Sequence, residues 1–204
     1  MKKTTQFTRK YLELFLFFSL LFHSGINAQV KVPFTPRTAQ STPGKSIYHI
    51  KGDFSLIGNT NLTLVNYNNN TNNSNNSMQY VDVDNDNSTF NSSTSELIFS
   101  TENGAVPDCS RILFAGLYWT GRSSDNSTSP DTFTVTKNGQ TKTFDKRKVS
   151  IKGPNSSNYT EITANTNDIY YPNSSDGLMY SAFAEITDYV KLNGLGYYTV
   201  ADIA

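Results

Sequence analysis

The 204-residue chain contains a single cysteine, Cys109, so no internal disulfide can form. A domain of this size buries enough surface to fold without one. The expected state of the lone thiol is buried and inert, the usual habit of a free cysteine. Histidine is almost as scarce, with only His23 and His49. Two-histidine zinc sites of the HExxH kind are therefore excluded once His23 is assigned to a leader. A Ser-His-Asp triad would have to rest on His49 alone, which reads as a surface residue of the strand-like Ile47-Tyr48-His49-Ile50. No phosphate-binding glycine loop, nucleophile elbow or cysteine-based metal spacing occurs. There is no basic block, and the formal net charge is zero. Nucleic acid is excluded as a partner, because displacing its counterions needs clustered cations. After the first 28 residues no hydrophobic run is long enough to span a membrane.

Those first residues have the pattern of an export signal. Lys2, Lys3, Arg9 and Lys10 form a positive start, and Leu12 to Phe22 is apolar apart from Glu13 and Ser19. Ala28 supplies a small residue at a cleavage point before Gln29. The apolar core is shorter than the roughly 20 residues a transmembrane helix needs. The expected product is a secreted or cell-surface protein cleaved near Ala28. With four basic residues and one acidic residue removed, it carries 13 Lys+Arg against 16 Asp+Glu, net −3.

Three regions are expected: a signal peptide over 1–28, an extended lead-in with Pro33, Pro36 and Pro43 over 29–45, and a β-rich module over 46–204. Alternation of apolar and polar residues predicts strands at Ile47–Lys51, Phe54–Ile57, Asn61–Asn66, Met78–Val83, Glu96–Ser100, Lys148–Lys152, Asp168–Tyr171 and Tyr197–Ile203. Arg111–Thr120, with the only tryptophan, Trp119, reads as a central strand kinked at Gly116. Phe133–Thr136 and Thr141–Phe144 flank Asn138-Gly139, the dipeptide that favours a type I′ hairpin turn. Met179–Val190 fits a strand or a short helix, and Lys191-Leu192-Asn193-Gly194 reads as a turn. The asparagine-rich tract 66–76 and the segment 123–129 are expected as polar loops. The expected fold is all-β, an antiparallel β-sandwich of jelly-roll type with long polar loops. The chain stops at Ala204 within an apparent strand, so the expectation is a fragment cut within its domain.

One segment has ligand-like spacing. In Tyr80–Ser88, Asp82, Asp84 and Asp86 alternate as in the start of a calcium loop, where hard oxygens converge on a large cation. Counted from Asp82, however, the sixth position is Asn87 rather than glycine and the twelfth is Ser93 rather than glutamate. Alternation along a strand places Asp82 and Asp84 on the same face, as an ordinary solvated strand end also would. Calcium at Asp82, Asp84 and Asp86 is thus one reading and a solvated turn the other. Glu96, Glu102, Glu161 and Glu185 are isolated, and no motif joins two of them into the carboxylate pair of a glycosidase. The tyrosines could line a sugar platform or fill a core.

Three segments taken together resemble a known module: Asn76–Asp84 with Phe90–Ser93, then Phe114–Trp119, then Tyr180–Val190 with Asn193-Gly194 and Tyr198–Asp202. They are similar to the N-terminal β-rich module of large secreted bacterial surface proteins. Such proteins often carry tandem Ig-like repeats of the DUF11 class and, in the Bacteroidetes, a C-terminal sorting domain of the gliding-motility or type IX secretion kind. The resemblance spans most of Ile47–Ala204 and implies an adhesive or structural role without enzymatic chemistry. Relatives continue into a Gly-Gly-Trp and Val-Val-Tyr strand pair that is not in this sequence. The function expected is therefore that of a non-enzymatic, adhesin-like surface protein contacting a glycan or protein ligand. The alternative is a carbohydrate-binding jelly-roll module of a secreted hydrolase.

Overall fold

A computed structural model describes residues 36–41, 44–67, 70, 77–123, 131–172 and 179–204. The expected signal peptide, most of the asparagine-rich tract and nearly all of 123–129 lie outside these residues. The chain divides into Met1–Arg37 and Thr38–Ala204, and the second unit holds every element described below. Among the described residues no helix is long and apolar enough to cross a membrane.

The strands in chain order are β1 (Leu62–Leu64), β2 (Met78–Tyr80), β3 (Ser92–Leu97), β4 (Gly116–Arg122), β5 (Thr132–Lys137), β6 (Gln140–Asp145), β7 (Lys148–Lys152), β8 (Thr160–Thr163), β9 (Ile169–Tyr170), β10 (Met179–Glu185) and β11 (Gly196–Ala201). A helix, α1 (Thr187–Asn193), joins the last two. The strands form four separate sheets with the orders β1-β2, β4-β10-β9, β3-β11-β7-β8 and β5-β6. Every strand pair is antiparallel. This corrects the all-β jelly roll expected from the strand pattern: the fold is mixed α/β. The two hairpins pair only within themselves, and the helix contributes core residues that a jelly roll would draw from strands.

The sequence leaves Met179–Val190 open between a strand and a short helix and reads Lys191–Gly194 as a turn; the structure makes Met179–Glu185 a strand and Thr187–Asn193 the helix α1. A helix forms because Thr187, Val190 and Asn193 recur at a three-residue spacing on the buried face. Asp188 in the first turn and Lys191 in the last suit the helix dipole. Gly194 ends the helix with φ of 71°, donating its N–H to the Val190 carbonyl at 2.8 Å. The β5–β6 hairpin forms as expected, with Asn138 and Gly139 at φ of 52° and 77° in its turn.

Trp119, Val149, Ala164, Tyr180, Ala182 and Ala184 form an apolar core drawn from the three- and four-stranded sheets. The Trp119 indole donates to the buried Lys146 carbonyl at 2.9 Å, which satisfies its polar edge in the core. Ile151, Ile186, Val190 and Tyr198 extend the core under α1. Phe90, Phe133 and Ala204 seat the β5–β6 hairpin, where Phe133 stacks on Phe144 with ring centres 5.2 Å apart.

Several expectations are corrected here. Ile47–Lys51 and Phe54–Ile57 are irregular rather than strands, and Phe54 and Leu56 are 80% and 86% exposed. Alternation alone finds no neighbouring strand there to supply ladder hydrogen bonds. The run Arg111–Thr120 becomes a strand only from Gly116, and β4 lies at an end of its sheet, paired with β10. β3 begins at Ser92, earlier than Glu96, and β8 carried no apolar pattern. Cys109 is exposed, not buried. His49 is exposed as expected but lies outside any strand.

Replacing Trp119 by alanine should cost about 3–5 kcal/mol, because it opens a cavity and leaves the Lys146 carbonyl unpaired. Tyr118→Ala, at an exposed ring lying tilted against Phe183, should cost less than about 1.5 kcal/mol. Urea unfolding of both variants measures the contrast.

Candidate functional site

The loop between β2 and β3 brings Asp82 and Asp84 to the hydroxyl of Ser92. Val81 accepts from the Ser92 N–H at 2.8 Å, and Asp82 and Ser92 form an isolated parallel bridge. Backbone pairing therefore folds the acidic segment against the first residue of β3. The Ser92 hydroxyl lies 2.8 Å from the Asp84 carboxylate and 3.1 Å from that of Asp82. It also accepts from the Val83 N–H at 3.0 Å. One hydroxyl proton cannot serve both acids at once, so each needs another donor.

Those donors come from distant strands. Lys137, at the end of β5, reaches Asp82 at 2.6 Å and also donates to the Thr89 carbonyl at 3.0 Å. Lys152, at the end of β7, reaches Asp84 at 2.5 Å, and the Tyr159 hydroxyl donates to the same oxygen at 2.8 Å. The Lys152 ammonium also lies 4.5 Å from the centre of the Tyr159 ring. Burial pushes the Asp84 carboxyl up. The bonds from Lys152, Ser92 and Tyr159, with the Lys152 charge, outweigh that effect and hold it at about 2. Burial, together with the bond to Asp84, pushes the Tyr159 phenol well above its usual range.

A buried amide layer lies beside this cluster. Asn91, fully buried, donates to the Ile203 carbonyl at 2.5 Å and accepts from the Ile203 N–H at 3.2 Å and the Asn61 amide at 3.0 Å. The Ser93 hydroxyl donates to the Asn61 carbonyl oxygen. Asp202, in the left-handed region at φ of 66°, accepts from the Phe90 N–H at 3.1 Å and the Ser150 hydroxyl at 2.7 Å. Asn61, Asn91 and Asp202 thus tie the acidic loop to the chain end after β11.

Of the three acids in the calcium-like spacing, Asp82 and Asp84 come together and Asp86 does not join them. Asp86 accepts from the Ser88 N–H at 2.9 Å and turns the chain there, and that backbone bond holds its carboxyl below the usual range. Among the described residues no group of three or more His, Cys, Asp or Glu gathers to hold a metal. Lysine ammoniums occupy the carboxylate oxygens that a cation would take.

The glutamates also remain apart. Glu161 pairs with Lys148 at 2.8 Å, and Glu96 and Glu102 are exposed. Glu185 fastens the lead-in, accepting from the Gln40 N–H at 2.6 Å, the Ser41 hydroxyl at 2.5 Å and the Thr187 hydroxyl at 2.9 Å. Burial raises its carboxyl, but the bonds from Ser41, Gln40 and Thr187 leave it below the usual value. Asp84 and Glu185 are thus held ionised at neutral pH, without the raised pKa of a general acid.

Local reading found Asp82 and Asp84 but missed Ser92, Lys137, Lys152 and Tyr159. The last three lie 55, 68 and 75 residues from their partners, and nothing in their own neighbourhoods marks them.

Asp84→Asn should destabilise the chain by about 1–2 kcal/mol, a value discounted for solvent screening, because it leaves Lys152 partly buried beside a neutral amide. The pH dependence has a definite sign. The folded pKa of Asp84 is about 2, below the ordinary 3.8, so its contribution is present above pH 3.8 and lost as pH falls toward 2. Acid unfolding of wild type and Asp84→Asn should therefore converge over that interval. Calcium supplies a separate check. With the ion pairs in place, millimolar calcium should leave the thermal midpoint unchanged, whereas a rise abolished by Asp84→Ala would assign the loop to the ion.

No protein-family model, curated protein or solved structure matches the chain.

Proposed function

We propose that this chain is the β-rich part of an exported, non-enzymatic surface protein that acts by contact. The observation carrying the proposal is a division of labour among its side chains. Asp82, Asp84 and Glu185 are tied to lysines, hydroxyls and backbone, while several large apolar and aromatic groups face outward. Tyr118, Tyr197 and Leu192 are 71%, 61% and 82% exposed. Exposed aromatic and aliphatic groups on a rigid support are the usual makings of a recognition surface. The basic and apolar pattern of residues 1–28 supports export, and the similarity of three segments to secreted bacterial surface modules supports an adhesive role.

Deleting the encoding gene should weaken attachment of the cells to surfaces. Beads coated with the purified chain should bind the same surfaces, and Tyr118→Ala combined with Tyr197→Ala should reduce that binding severalfold without changing the thermal midpoint by more than a few degrees. Unchanged attachment in the deletion strain, or turnover of a polysaccharide by the purified chain, would overturn the proposal. Binding to one glycan on an array would instead identify the contact as sugar recognition.

A further inference from the structure

β4 ends its sheet with an open row of backbone groups. The Phe183 N–H donates to the Asp168 carbonyl, on the β9 side of β10. Its register partner Tyr118 therefore turns its own N–H and carbonyl away from β10. The two-residue period of the ladder does the same for Gly116, Thr120 and Arg122. Among the described residues nothing donates to or accepts from that row. We infer that it pairs with the same edge of a second copy, antiparallel about a two-fold axis at Trp119, and closes a dimer.

The other edges of the two larger sheets are blunted, as isolated folds require. β9 has only two residues, and β8 carries Glu161 paired with Lys148. The outer row of β3 is in use, since the Ser92 N–H donates to Val81 and the Thr94 carbonyl accepts from the Asn59 amide at 3.2 Å. β4 runs for seven residues without proline, lysine or an acid, and its one charge is Arg122 at the last position.

The side chains along the row select a second copy. With the axis at Trp119, Tyr118 of each copy lies opposite Thr120 of the other, an aromatic beside a β-branched residue. Arg122 lies opposite Gly116, so no like charges meet. Among the described residues Arg122 makes no ion pair. Gly116 has no side chain, and the Phe183 ring fills the space beside it, 2.6 Å from where a Cβ would stand. Glu185 is next across the sheet from Gly116. Arg122 thus meets a ring face and then a carboxylate in the second copy, and the symmetry repeats the contact. A foreign strand would be chosen by pockets for its alternate side chains, whereas Tyr118 and Thr120 stand exposed on this face.

Self-association goes beyond the contact reading and does not rest on it. Sedimentation equilibrium of the full chain, kept reduced because Cys109 is exposed, should show monomer giving way to dimer as concentration rises. Amide exchange should show the Tyr118 and Thr120 N–H groups gaining protection over the same range. Thr120→Pro removes one outward N–H and should raise the dissociation constant at least about tenfold. Arg122→Glu should raise it severalfold, and Lys142→Glu on β6 should leave it unchanged. Tyr118→Asp with Thr120→Asp sets carboxylates opposite each other and should abolish the dimer, whereas Tyr118→Asp with Thr120→Lys sets unlike charges opposite and should restore it. Circular dichroism verifies that each variant is folded, and the paired-charge variants with amide exchange decide the matter if Thr120→Pro is not. A monomer at every concentration, open-ended growth, or a dimer indifferent to the opposed carboxylates would each overturn the inference. So would capture on β4 of a synthetic Ile47–Ile57 peptide in place of a second copy. If the dimer is absent while the coated beads still bind, the edge assignment alone falls.

Discussion

Ser92 is the point on which the arrangement of this molecule turns. Its N–H joins the acidic loop to β3, and its hydroxyl lies between Asp82 and Asp84. Two carboxylates so close would repel one another if left bare. Lys137 from β5 and Lys152 from β7 compensate them, so the cluster joins the hairpin sheet and the four-stranded sheet to the same loop. Partly buried charges are costly to leave alone, and removing any one member would strand its partner. Beside the cluster, Asn61, Asn91 and Asp202 hold the segment after β11 by hydrogen bonds rather than by apolar packing. Buried amides satisfied in this way tolerate few alternative registers, because a slip of one residue would leave several polar groups unpaired.

The same stitching bears on what the protein does. Carboxylates held ionised by lysines and hydroxyls serve structure and are poor proton donors at neutral pH. Glu185 belongs to the same class, since its oxygens are used to fasten Gln40 and Ser41 to the end of β10. Among the exposed large hydrophobic groups, Tyr118, Tyr197 and Leu192 are carried on β4, β11 and α1. Contact surfaces profit from rigidity, because little entropy is then lost on association.

Legibility from sequence followed the range of the interaction. Asn138-Gly139 specifies its hairpin because the positive backbone angles of the turn are a property of those two residues. Lys148–Lys152 is read correctly because Val149 and Ile151 alternate into the core. By contrast, β3 begins with Ser92 and Ser93, polar residues that look like a loop and are buried only because Asn61, Asp82 and Asp84 arrive to bond them. The segments around Ile47 and Phe54 fail in the opposite way, being apolar and alternating but without a neighbour. In α1, Lys191-Leu192-Asn193-Gly194 carries the marks of a turn, and they end a helix whose buried face becomes plain only when packed on Ile151 and Tyr198.

The amino-acid order by itself determined the absence of disulfides, the hairpin turn, the apolar strand around Trp119 and the pairing-prone spacing of Asp82 and Asp84, all set by composition or by neighbours a few residues apart. Only the tertiary structure decided that strands of three sheets and a helix supply the core, that lysines 55 and 68 residues away meet those acids, and that Cys109 faces solvent. Those outcomes depend on which distant groups satisfy each buried polar atom, and no local pattern encodes that choice.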